Sequence, residues 1–303
     1  LLDRKASRFT ENFVGQWLDL RKLHMTKPDL RYVEFDDQLL WSMPRETMAY
    51  FDEMLRHDRS VSELVSSDWT YLDARLAKHY GVSGVDSWEL RRSPILPEHR
   101  RGGVITHASV LKVTANGTTT SPVLRGKWLL EKIIGKPPSP PPPDIPALEP
   151  DIRGATTIRQ QLEKHRQLPA CASCHLQIDP PGFALENYDV IGGWRDWYRG
   201  SQDGHGGKEQ VELVNYSGAR VWRGEDVKPE SVMHDGRAFK DIDQYRAILL
   251  EDPEQLARSV TTKLLVYATG TDLQFADREV VESIIARTRG EGFCLRSILH
   301  GVV

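Results

Sequence analysis

Cys171, Cys174 and His175, in the run CASCH, are the residues of this chain best placed by type and spacing to do chemistry. On a helix, side chains three apart lie on adjacent turns of one face, and the imidazole that follows the second thiol stands beside both. Two such thiols can add to the two vinyl groups of a porphyrin, with the histidine coordinating the iron from the proximal side. The spacing predicts one covalently attached haem c, bound through Cys171 and Cys174 with His175 as an axial ligand. The histidine's second nitrogen then needs an acceptor to fix the ring, and the segment IDPP just downstream can offer a backbone carbonyl. Two other chemistries use a Cys-x-x-Cys pair. Zinc asks for four ligands, usually with a second paired set, and the sequence has no such set. A redox-active pair belongs at the start of a helix after a strand, and no βαβ pattern precedes this one.

A haem iron has a sixth position, and what fills it separates electron transfer from chemistry on a small ligand. Met233, in VMHDGR, lies 58 residues after His175, a separation familiar from small cytochromes c with a methionine ligand. His107, in GGVITHASVL, is the other candidate, as a sixth ligand or a distal acid–base group. His234 and His165 are weaker, since EKHR reads as a solvated polar helix face. An open sixth site is the remaining alternative. Haem propionates need cationic or N–H donors, and Arg125, Trp128, Trp194 and Arg195 flank the haem segment in RGKW and GGWR. Pro180, Pro181 and Phe183 are candidates for the haem wall, although turn and core packing account for them nearly as well.

The elements that must position these residues read as mainly α. Phe9, Phe13, Trp17 and Leu20 recur at helical spacing. A second helix is predicted from Pro44 through Met48, Phe51, Met54 and Leu55, and a third over about 67–80 with Asp68 as its cap. The segment 81–103, rich in Gly, Pro and Arg, marks a boundary. Asn116-Gly117 is turn chemistry, Ser121-Pro122 opens a helix and Gly135 closes it. Residues 137–150, PPSPPPPDIPALEP, favour polyproline II and read as a linker or, by preference, a strap across the surface. A small β element is expected near 211–222. The stripe Leu256, Val260, Leu264 and Tyr267 stops at Gly270, and short helices follow near 276–288 and 295–302. The expected organisation is a helical domain over 1–85, a haem-bearing domain over 86–200, and a C-terminal helical domain over 201–303 preceded by a polar loop or hairpin.

With 303 residues, 39% hydrophobic, the chain can bury a substantial core. Its net charge of −3 gives no reason to expect nucleic acid or a membrane surface as partner. No apolar run approaches the roughly 20 residues of a membrane span. Three cysteines make no disulfide framework, and Cys294 reads as a small buried hydrophobe. The opening LLDRKASRFTENF reads as the middle of a helix-rich protein, so a fragment or processed form is expected.

The run RGGVITHASVLKVTANGTTTSPVLRGKWLLEKIIGKPPSPPPPDIPALEP followed by CASCHLQIDPPGFALENYDVIGGWR resembles the planctomycete-type cytochrome c family. Those proteins are strings of consecutive domains, mostly of unknown function. Residues 1–80 resemble the helical domain that precedes the haem segment, and KDIDQYRAILLEDPEQLARSVTTKLLVYATG resembles the final helical one. The resemblance implies an exported protein with a further cytochrome c domain upstream, and it supplies no reaction. The stretch 200–234 departs from it, being longer and more polar than the usual link. Three functions follow as expectations: electron transfer with an upstream haem or a redox partner protein, a peroxidase-like haem oxidoreductase, or a helical binding module in which the haem is mainly structural. Covalent haem attachment takes place outside the cytoplasmic membrane, so a periplasmic or otherwise exported location is expected.

Overall fold

Aromatic residues at helical spacing start the structure. In the computed structural model, which describes residues 3, 5–139, 157–167, 169–200, 207–213, 216 and 218–303, helix α1 (Ala6–Trp17) stacks Phe13 on Phe9 and Trp17. Helix α2 (Asp37–Arg56) begins seven residues before Pro44. The Asp36 side chain accepts from the Leu39 N–H at 2.7 Å, a cap strong enough to start the helix there, and the proline is carried inside it.

The predicted helix over 67–80 is instead a strand and a short helix. Trp69–Leu72 forms β1, and Asp73 rather than Asp68 caps α3 (Ala74–Tyr80). The reason is non-local: Trp69, Thr70 and Tyr71 are strand formers that pair antiparallel with β2 (Arg91–Pro94), in the register Trp69↔Pro94 to Leu72↔Arg91.

Helix α4 (Ala108–Val113) follows. Ser121 then caps α5 (Pro122–Trp128), with Pro122 in its first turn as expected. This helix runs into a π-helical turn, Leu129–Ile134, closed by Gly135 in the left-handed conformation. Helices α6 (Ile158–His165) and α7 (Pro169–Phe183) lead into the β region. There β3 (Trp197–Arg199), β4 (Glu209–Glu212) and β5 (Arg220–Asp226) form a sheet in the order β3-β5-β4. The expected hairpin is thus present, and enlarged by a third strand. A small ribbon, β6 (Ser231–Val232) with β7 (Ala238–Phe239), precedes α8 (Ile242–Leu250), α9 (Pro253–Thr269), α10 (Asp277–Thr288) and α11 (Leu295–Val302). The fold is mainly α with small antiparallel sheets. Residues 140–150 of the polyproline run lie outside the described residues.

One hydrophobic cluster draws on the whole length of the chain. It joins Phe13, Trp17 and Phe51 to Leu129, Ile133 and Tyr188 and to Val260, Leu264, Ile284 and Ile298. The predicted boundaries at 85/86 and 200/201 do not separate cores. The β1–β2 ribbon crosses the first, and the pairing of β3 with β5 crosses the second. Among the described residues no helix is long and apolar enough to cross a membrane.

Candidate functional site

Helix α7 carries CASCH, and two glycines set its position. A Cβ on Gly126 of α5 would stand 1.7 Å from the Ile178 carbonyl oxygen, and one on Gly182 of α7 would stand 1.8 Å from that of Pro122. The two helices therefore touch backbone to backbone. This approach brings Cys174 against Ile178, Leu130 and Ile134, with Val123 and Leu249 at the edge of the same apolar cluster. Cys171 and Cys174 are both half-buried free thiols.

His175 is held from beneath. Its Nδ1–H donates to Oδ1 of Asp179, one turn on, at 2.9 Å. Asp179 is wholly buried, and its Oδ2, 3.7 Å from Arg166 Nε, has no hydrogen-bond partner among the described residues. The IDPP segment thus does orient the ring, through a side chain and not through a backbone carbonyl. With Asp179 accepting, Nδ1 carries the proton and Nε2 is left as the lone-pair nitrogen.

The last residue of α6 meets the same imidazole. The His165 and His175 rings stand edge to face, with centroids 4.7 Å apart and planes at 65°. His165 was expected in solvent. Partial burial and the neighbouring His175 instead lower its pKa, which favours the neutral ring. Arg159 anchors the first turn of α6: its guanidinium lies 3.8 Å from the Phe183 ring centre and donates to the carbonyls of Lys228 and Glu230 at 2.7 and 2.9 Å.

The other sequence candidates lie elsewhere. His107 is 2% exposed and enclosed: Nδ1 is 3.0 Å from Thr47 Oγ1, Nε2 is 3.4 Å from Thr70 Oγ1, and Tyr50 meets the ring edge-on. Neighbouring Glu46 accepts from Thr70 at 2.8 Å and from the Tyr80 hydroxyl at 2.6 Å. Burial lowers His107 to about 3 and raises Glu46 to about 7, so both groups are disposed to be uncharged. The expectation that His107 faces an iron does not fit this placement, because both of its nitrogens are taken up inside the core.

Arg125 and Arg195 also turn inward. The Arg125 guanidinium is fully buried and donates to the carbonyls of Leu185, Tyr188 and Asp189 at 2.6–2.8 Å. Arg195 donates to the Glu186 carbonyl and to Thr120 Oγ1. Trp194 packs edge-on against Tyr188 and donates to Asp196. These three residues fix the loop after α7, and the propionate role expected of them is not the use their donors find here. Trp128 lies two residues beyond Gly126, hence about 200° round the helix; it joins the main core with its indole N–H unpaired among the described residues. Phe183, by contrast, ends the cysteine helix and is buried beneath Arg159. Met233 sits in the turn joining β6 to β7, with its side chain packed on the main core, while β6 runs beside α7.

Sequence reasoning missed Asp179, and it set His165 aside as a weaker candidate on a solvated face. The His175–Asp179 spacing of four on a helix was an available signal. The His165 contact depends on how the chain turns between α6 and α7, which no local pattern announces.

Three domain families cover most of the chain. Residues 1–82 match a protein of unknown function, DUF1592; residues 101–198 match DUF1588; residues 235–303 match DUF1585. All three are families associated with planctomycete cytochromes c, and none has an assigned function. No curated protein and no solved structure matches the chain.

Proposed function

We propose that this chain is a c-type cytochrome module that transfers electrons through one haem attached at Cys171 and Cys174, with His175 on the iron. The observation that carries the reading is the arrangement of α7: two free thiols on adjacent turns, followed by an imidazole whose Nδ1 is held by buried Asp179. A haem so bound supplies a one-electron couple. The chain's own residues fit such a group. Val123, Leu130, Ile134, Ile178 and Leu249 around Cys174 offer an apolar wall for a flat ring. Asp179 fixes the imidazole with Nε2 free and makes that nitrogen a better donor. A porphyrin brings four ligands of its own and asks only one or two of the protein, which matches a site with a single oriented imidazole beside the thiols.

The domain families of this chain support the cytochrome context. Electrons would come from an upstream cytochrome c domain or a redox partner protein, in the exported compartment where covalent attachment takes place. A peroxidase-like reading needs a distal acid–base group, and the residue expected in that role, His107, is enclosed between α2 and β1. The test is haem staining after denaturing electrophoresis of protein matured in a host competent for c-type attachment. Stain in the wild type that is lost in the Cys171→Ala/Cys174→Ala double variant supports the reading. An unstained wild type refutes it.

A further inference from the structure

We infer that His165 supplies the second axial nitrogen of the iron, giving a bis-histidine centre; this rests on the haem reading above. The geometry places the two imidazoles ring to ring at 4.7 Å, at the end of α6 and in the second turn of α7. His175 already has its Nδ1 committed to Asp179, so its Nε2 is the nitrogen left for a metal. Among the described residues, His165 is the imidazole whose ring packs against it. The other candidates are committed elsewhere: His107 bonds to hydroxyls in the core, and Met233 packs its side chain on the main hydrophobic cluster.

Metal–imidazole bonds of roughly 2 Å on each side put the two ring centres about 6 Å apart, so the rings must part by roughly 1–2 Å. Beside His165, Arg166 Nε approaches buried Asp179 Oδ2 to 3.7 Å, and further attachments of α6 lie at its first turn. There Arg159 holds Phe183 and the carbonyls of Lys228 and Glu230, and Thr157 and Gln160 cap the helix reciprocally. His165 is at the opposite end.

The experiment uses the full chain matured with haem, in wild-type form and as His165→Ala and Met233→Ala variants. Haem staining is read together with the visible spectrum of the dithionite-reduced protein before and after carbon monoxide. The expected result is a low-spin wild type inert to carbon monoxide, and a His165→Ala variant equally stained but high-spin and quickly carbonylated. Added imidazole should restore the low-spin spectrum of that variant, which a merely structural role for His165 would not allow. Met233→Ala should match the wild type. A stained His165→Ala protein that stays low-spin overturns the assignment of His165 and leaves the haem reading intact, as does a stained wild type already open to carbon monoxide. An unstained wild type overturns both.

Discussion

Adding one methyl group at Gly126 should force α7 away from α5. The Cβ of Gly126→Ala would begin 1.7 Å from the Ile178 carbonyl oxygen and 2.8 Å from its carbon, where real contacts stay beyond 3.0 Å. The obstacle is helix backbone, which cannot rotate aside as a side chain can, so the helices must separate by more than an ångström. Overpacking of this kind costs about 1–3 kcal/mol, and parting the helices also loosens Ile178 from Leu130 and Ile134. Alanine's better helix propensity returns up to about 1 kcal/mol. The expected net loss is about 1–2 kcal/mol, or roughly 2–3 °C in Tm for a chain of this length at ~2 cal/mol/K of unfolding entropy per residue. Gly182→Ala, whose Cβ would meet the Pro122 carbonyl oxygen at 1.8 Å, should cost a similar amount. The double variant should cost clearly less than the two together, because one separation relieves both clashes. Gly290→Ala is the control, with nothing within 4 Å of its added carbon. Thermal unfolding followed by circular dichroism reads all four proteins. If Gly126→Ala unfolds with Gly290→Ala, or if the two costs simply add, the close crossing of α5 and α7 is not what positions the cysteine helix.

Three further outcomes can be measured. On the proposed haem reading, Asp179→Asn keeps an acceptor for His175 but removes the buried carboxylate, so the reduction potential should rise by roughly 60–120 mV, the one-electron equivalent of the ten- to hundredfold effect of an outer-shell partner; an unchanged potential in a redox titration would count against Asp179 acting on the iron. Burial raises Glu46 from 4.5 to about 7, so between those values the folded protein keeps a proton that the unfolded chain has released, and this group's stabilisation falls as pH rises through about 7. Glu46→Gln should remove about 1 kcal/mol of pH dependence between pH 6 and 8, read from urea midpoints, whereas His107, lowered to about 3, should withdraw its stabilisation only as pH falls below about 6.5. Residues 86–200 expressed alone should show no cooperative unfolding transition in calorimetry, because Leu129, Ile133 and Tyr188 would lose the Phe13, Trp17, Val260 and Leu264 side of their core.

What could be read from the sequence was local. CASCH, the Ser121-Pro122 helix start, and the apolar stripe that Gly270 stops are each defined by residues within a few positions of one another, and the structure has α5 and α9 beginning and ending there. The failures have distant partners. Leu72 and Leu76 suggest a helix over 67–80 until β2 claims Trp69–Leu72 from some twenty residues away. Arg125 flanks the haem segment in sequence and reads as a propionate donor, yet the carbonyls that hold it belong to Leu185, Tyr188 and Asp189. His107 stands beside a Thr/Asn-rich turn, and only the packing of α2 against β1 shows that Thr47 and Thr70 enclose it. Asp179 was closer to hand: IDPP was read for a backbone carbonyl, whereas the helix runs on through Pro180 and Pro181 and puts the carboxylate one turn from His175.

Three sequence families lie end to end in this chain, and the setting of the cysteine helix draws on all of them. The middle segment contributes α5 and α7 with their glycine contact, and most of the apolar wall at Cys174. The C-terminal segment adds Leu249 of α8 to that wall, and Gln255 of α9 bonds the Ile134 carbonyl at 2.8 Å. The N-terminal segment reaches the same π-helical turn from its other side, where the Trp17 indole donates to the Lys132 carbonyl at 2.8 Å. Leu130 and Ile134, which face Cys174, are therefore held by contacts from both flanks. A site that needs an oriented imidazole and a formed apolar wall depends on rigid support, and that support cannot be assigned to one family. The helical flanks, large for a simple electron carrier, have a structural use: they complete the core that beds the cysteine helix.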